Sequence, residues 1–286
     1  MISFFANIFG YVLDFIYSFV NNYGLAIILF SILLKIVLIP LSISQQKTMK
    51  KSAEMQKKVK EIQNKYEGNQ EKINKETMNL YKQEKMNPFS GCFTAIIQIV
   101  LLFSMFYLVR NPLTHMKKVD TQVIDGYINE IKEESPEGER NLTYPEISVV
   151  KQKGAEDERV YINMDFLGLD LSNVPTQQLT NWTVYIIPVL YVISSLVSMK
   201  ITTNTTNKKK KEEITENAEN KEKTELDAVD QANKSMMWFM PIMSVSISLV
   251  APLGLALYWL VNNVLIIIER LCINKYLENK EEKENA

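Results

Sequence analysis

Apolar and polar runs alternate along this chain, and the apolar ones have membrane length. From Tyr23 to Ile43 the sequence reads YGLAIILFSILLKIVLIPLSI, and about twenty such residues carry an α-helix across a bilayer. Phe93 to Val109, Thr183 to Met199, Met236 to Val250 and Leu255 to Cys272 repeat the pattern and predict four further spans. Residues 1–21 are striped instead. Polar or small residues fall at Ser3, Asn7, Gly10, Asp14, Ser18 and Asn21, and Phe5, Ile8, Phe9, Val12, Ile16 and Phe19 take the other face. That stripe predicts an amphipathic helix lying in the membrane interface, with a sixth span as the alternative. It lacks the basic start and small-residue cleavage site of a signal peptide.

The polar runs are as informative. Residues 44–88 hold eleven lysines against six acidic residues. Met55, Val59, Ile62 and Tyr66 recur at helical spacing, Gly68-Asn69 is a turn signal, and Ile73, Thr77 and Leu80 resume the spacing. This predicts a helical hairpin on a thin apolar seam. Residues 111–181 carry six more acids than bases. Under the positive-inside rule the hairpin is cytoplasmic and residues 111–181 are extracellular. Within that region Ile147–Val150 and Val160–Ile162 are β-prone and predict a small hairpin, and residues 165–171 read as a short amphipathic segment at the outer interface. Residues 201–235, with Lys208-Lys209-Lys210-Lys211, read as a disordered cytoplasmic loop, and residues 273–286 as a charged cytoplasmic tail. The expected fold is an all-α polytopic membrane protein: a five-span helix bundle (22–43, 91–110, 182–200, 236–251 and 253–272) with an N-terminal interfacial helix and a cytoplasmic helical hairpin.

Composition narrows the chemistry. The net charge of -1 offers no basic excess for binding nucleic acid. Two cysteines, Cys92 and Cys272, and one histidine, His115, give neither a disulfide framework nor a metal site. No Ser/His, Cys/His or paired-carboxylate constellation lies in the spans, so no enzyme, cofactor or metal is expected. Lys35 is the one charge read as lying well inside a span. Either it snorkels toward the nearer interface, or it faces a water-filled cavity, the default for an intramembrane ionisable residue.

Several pieces carry a family resemblance in order. They are Tyr23-Gly24-Leu25-Ala26-Ile27-Ile28 with Lys35 before Pro40-Leu41, the basic hairpin, and Asn87-Pro88-Phe89-Ser90-Gly91-Cys92 leading to Ile97-Gln98. Tyr185-Ile186-Ile187-Pro188, Met240-Pro241 and the run Pro252 to Trp259 follow. The sequence resembles the YidC-type membrane protein insertases in their short Gram-positive form, relatives of the mitochondrial and chloroplast insertases. It departs from them in having Lys35 where an arginine is usual, a longer region at 111–181, and no lipobox-like start. The resemblance implies an insertase and chaperone, working alone or with the Sec translocon, in the plasma membrane with a cytoplasmic C-terminus. Nascent membrane proteins are the implied clients, with the lipid bilayer, the ribosome and the translocon as partners. A hydrophilic groove, open to cytoplasm and lipid and closed outside, would be lined by Lys35, Gln98, Ser194, Ser198, Trp259 and Asn262. The client helix would leave between the third and fifth spans. A small transporter or channel, or a membrane tether presenting the hairpin, are the competing readings; a transporter would show charges paired across spans.

Overall fold

The computed structural model describes residues 2–84, 90–135, 142–211, 243 and 245–285, with side chains described except at 46, 49, 50, 52, 53, 56, 90–95, 98, 202–211 and 274–285. The chain is a multi-pass, all-α membrane protein. Helices α1 (Ile2–Val20), α2 (Tyr23–Lys65), α3 (Gln70–Gln83) and α4 (Ser90–Arg110) come first. A π-helical turn at Leu113–Lys117 leads to α5 (Thr121–Glu134) and α6 (Pro145–Lys153). A two-residue hairpin, β1 (Asp165–Phe166) and β2 (Leu169–Asp170), precedes α7 (Ile186–Lys211) and α8 (Leu253–Asn285). Among the described residues, four stretches are long and apolar enough to cross a membrane: Ile2–Val20, Tyr23–Gln45, Trp182–Ile201 and Leu253–Ile273. Ile99–Arg110 is a shorter apolar helix. Of the expected fourth span, 243 and 245–250 are helical, and Met240-Pro241 lies outside the described residues. So do most of the loop at 201–235 and the Asn87–Phe89 part of the second motif.

Helix α2 does not stop where its apolar stretch stops. Asn22 caps it, accepting the Leu25 N–H at 3.0 Å, and the helix runs through Pro40 to Lys65. A proline inside a helix removes one backbone hydrogen bond. Membrane helices tolerate that loss, so the first span and the first hairpin arm form one rod. Gly68, at φ +80°, makes the turn that Asn69 converts into α3 by accepting the Lys72 N–H. The left-handed conformation there suits glycine. Met55 is buried on the seam, whereas α3 buries no residue fully. Lys58 pairs with Glu84, and Lys51 donates to the Glu84 carbonyl at 3.1 Å.

Residues 111–135 and 142–185 form a folded module against one end of the helices. Ile147–Val150 is not a strand: Pro145 starts α6 there, and the β-branched residues serve the core, with Val149 and Val160 fully buried. The hairpin forms at 165–170 instead, turned by Leu167 (φ +54°) and Gly168 (φ +76°). Two successive residues at positive φ make the turn that matches strand twist. Glu146 is buried on α6 and accepts three bonds at the π-helical turn: the Leu113 N–H (2.8 Å), the Thr114 N–H (3.0 Å) and the Thr114 hydroxyl (2.6 Å). Burial nevertheless raises its pKa above the ordinary glutamate value. Lys153, also buried, reaches Glu130 at 2.6 Å and Glu134 at 3.6 Å, joining α5 to α6.

The module also satisfies helix ends. The first amides of a helix have no partner within it. Tyr23 N–H, at the start of α2, donates to the Asn163 carbonyl at 2.9 Å. At the start of α8, Leu253 and Gly254 N–H donate to the carbonyls of Asn173 (2.9 Å) and Leu171 (3.0 Å). Asn22 Nδ2 donates to the Asp165 carbonyl at 2.6 Å, and Phe166 lies over Gly24, where a Cβ would collide with its ring.

Helix α1 packs on α2, α4 and the π-helical turn. It buries Ala6, Phe9, Gly10, Leu13 and Tyr17, with Gly10 against the His115 carbonyl. Asn7 meets His115 Nδ1 at 2.8 Å, and Tyr17 Oη accepts the Asn163 N–H at 2.8 Å. Thus Asn7 and Gly10, from the polar stripe, turn toward protein. The exposed ridge is Phe4, Ile8, Tyr11, Phe15 and Phe19.

Candidate functional site

Burial is distributed unevenly along the spanning helices. In the apolar stretch of α2 the buried residues run from Tyr23 to Ser31, and none of the described side chains from 32 to 45 is buried. In α4 they lie between Ser104 and Val109, with none among the described side chains of 96–103. Among the described side chains of α7 the last buried is Tyr191, and every residue from Ala251 to Trp259 is buried, after which none is until Ile273. Packing is therefore tight at the end that carries the module and loose toward the hairpin.

An ion pair and a polar contact between helices sit in the loose half, whereas Ser31 and Ser104 are buried in the tight one. Lys35 of α2 reaches Glu269 of α8, Nζ to Oε2 2.9 Å. Their side chains keep 21% and 13% of their exposure. Glu269 Oε1 is buried without a hydrogen-bond partner among the described residues. From the sequence alone Glu269 had no assigned role and Lys35 was the one charge read well inside a span; the ion pair corrects that. A signal was available. At about 1.5 Å rise per residue, Lys35 lies about 18 Å from the start of α2 and Glu269 about 24 Å from the start of α8. Both helices start at the module, so opposite charges at similar depth were legible. An unpaired lysine inside a membrane is costly, and pairing with a carboxylate offsets part of that cost.

A second polar contact joins α7 to α8. Asn263 Nδ2 donates to Ser194 Oγ (3.0 Å) and Ser195 Oγ (3.2 Å), and Ser194 in turn donates to the Tyr191 carbonyl at 2.8 Å. Trp259 stacks obliquely on Tyr191, ring centroids 6.1 Å apart, and is buried. Of the six residues expected to line a groove, Ser194 and Trp259 thus meet within the α7–α8 interface, and Lys35 belongs to the α2–α8 interface. Asn262 and Ser198 are half-buried nearby on the same two helices. The side chain of Gln98 lies outside the described residues. Asn263, not Asn262, makes the interhelical hydrogen bonds. Among the described residues no three His, Cys, Asp or Glu side chains are grouped to hold a metal.

Comparison with known proteins gives this arrangement its context. A family model described as 60Kd inner membrane protein matches residues 15–281. The chain belongs to that family, the YidC-type insertases. A relative in Treponema denticola, described as a membrane protein insertase YidC, is 26% identical over 94% of this chain and 37% of its own length. Another so described, in Helicobacter pylori, is 27% identical over 98% of this chain and 38% of its own length. A third, from Caldanaerobacter subterraneus subsp. tengcongensis, is 42% identical over 35% of this chain and 49% of its own length. The aligned region therefore spans 37% to 49% of these YidC-type relatives.

Proposed function

We propose that this chain is a membrane protein insertase and chaperone of the plasma membrane, working alone or with the Sec translocon. The module faces outward; the basic hairpin and the C-terminus face the cytoplasm, where the hairpin receives nascent chains and the ribosome. The gradient of packing carries the reading. Tightly packed helix ends under the module close the outer side, and the loosely packed half that holds Lys35 and the polar residues of α7 and α8 forms a groove open toward the cytoplasm and lipid. The groove's residues are Lys35, Gln98, Ser194, Ser198 and Asn262, with the buried Trp259 at its closed end. The short outer segment of a client enters this groove, so it crosses less hydrocarbon. Its apolar helix then passes between α7 and α8 into lipid, driven by burial of apolar area at about 25 cal/mol per Å². That passage requires Asn263 to release Ser194 and Ser195.

The test is insertion of a small single-span client in cells depleted of their own insertase and supplied with this chain at matched expression. Wild type and Lys35→Arg are expected to insert it, and Lys35→Glu to fail on a client with an acidic outer segment. Equal insertion by all three removes Lys35 from the mechanism. No insertion by membrane-integrated wild type sinks the reading. One observation favours a transporter as the second reading: the Lys35–Glu269 pair bridges two spans. Solute or ion flux through proteoliposomes, lost on Glu269→Gln, would support it.

A further inference from the structure

Resting on the insertase reading, we infer that Glu269 is a second recognition residue of the groove. It makes the groove a receptor for client segments that carry hydrogen-bond donors, ammonium and guanidinium groups above all, as well as for acidic ones.

Three observations carry this. First, Lys35 does not present a bare positive charge. Its ammonium is held by Glu269 Oε2 at 2.9 Å, so the pair is neutral. A client carboxylate must displace Glu269 to reach Lys35. Second, Glu269 Oε1 is buried and unpartnered among the described residues. A carboxylate oxygen only accepts, and a buried acceptor without a donor is unfavourable. A client ammonium, guanidinium or amide brought to that oxygen relieves the deficit without breaking the existing pair. Third, the two side chains retain 21% and 13% exposure and lie in the loosely packed half, so the pair is not sealed in a core, and Oε1, covered at rest, is uncovered by a small shift of its neighbours. Repulsion of a basic segment by Lys35 is reduced because Glu269 compensates its charge, while Arg270 beside Glu269 adds one further positive charge. In a low-dielectric site such pairwise terms are larger than in water.

The roles of the two residues then separate. Lys35 serves acidic clients after carboxylate exchange, and Glu269 serves donor-bearing clients directly. The groove accepts outer segments of either sign, and Glu269 determines how evenly it does so.

The experiment uses the purified full-length chain in proteoliposomes. The probes are three single-span clients that differ at one outer residue: Glu, Gln or Lys. Insertion is read by protease protection and expressed relative to the Gln client. Wild type is expected to insert all three within about threefold. Glu269→Gln is expected to lower the Lys-to-Gln ratio about tenfold and leave the Glu-to-Gln ratio equal or higher. The double variant Lys35→Gln/Glu269→Gln leaves no unpaired charge, and is expected to lower both ratios. It carries the comparison if Glu269→Gln fails to accumulate. An unchanged Lys-to-Gln ratio in a membrane-integrated variant overturns the inference alone. A loss common to all three clients does so too, since it marks a merely structural role. If wild type inserts none of the three, the insertase reading fails, and this inference with it.

Discussion

The two ends of the helix bundle are built on different principles. At the module end, contacts are redundant. The α2 and α8 amide ends are satisfied by module carbonyls, α1 is held through His115 and Asn163, and Glu146 accepts three bonds at once. Toward the hairpin, where fewer of the described span side chains are buried, the ties include the Lys35–Glu269 pair, the Asn263 contacts, and exposed lysines on Glu84. Rigidity at one end lets the other stay open without the spans drifting apart. Low local contact density is where proteins open most readily.

The largest expected effect falls on the module end. Glu146→Ala strands two backbone N–H groups, the Leu113 one in buried surroundings, and should cost about 3 kcal/mol or more, since each unsatisfied buried group costs roughly 1–3 kcal/mol. Thermal unfolding in nanodiscs checks it, and an unchanged Tm would erase the contrast between the ends. Next, Gly24→Ala should displace the Phe166 ring and loosen the seal over α2. Increased labelling of a cysteine placed at Ala26 would report that loosening, and no change would mean that the ring yields freely. Asn263→Ala should cost much less, about 0.6 kcal/mol by the average for polar contacts between membrane helices. Its effect should appear in insertion rate rather than in Tm, and a large Tm drop would place α7–α8 with the rigid end. Acid gives a finer comparison. Arg159 and the Tyr127 hydroxyl hold Asp157 well below the ordinary aspartate range. The folded state therefore binds fewer protons than the unfolded one, so this contribution is complete above that range and is lost progressively as pH falls from it through the lower value of the folded state. Asp157→Asn should flatten the Tm profile below about pH 4, and parallel profiles would remove the residue from the account. Smallest, Lys58→Ala at the exposed hairpin should leave Tm within error.

Sequence pattern alone exposed the spans near Tyr23, Trp182 and Leu253, the Gly68-Asn69 turn and the unusual placement of Lys35. It exposed less of the module, because buried β-branched residues such as Val149 and Val150 serve a helix face as readily as a strand. The partner of Lys35 was hidden for another reason. Glu269 is 234 residues away in sequence, and a charge near a span's end looks solvated until two helices are aligned by depth. For α1, the stripe was visible, but which side met protein was not, because the Gly10–His115 approach depends on a turn that follows another helix. The resemblance named the groove residues, but only tertiary contacts separate Asn263, which bonds across helices, from its neighbour Asn262.

The unbroken course of α2 through Pro40 has a mechanical meaning. With its start clamped by Asn163 and Asp165, it is a lever about 65 Å long at 1.5 Å per residue, with Lys35 about 18 Å from the fulcrum. The arm ratio is between three and four. A load that swings the hairpin tip sideways by about 7 Å moves Lys35 by about 2 Å, enough to part it from Glu269. On the proposed insertase reading, docking at the tip and the parting of the Lys35–Glu269 pair would be geared together by a single rod.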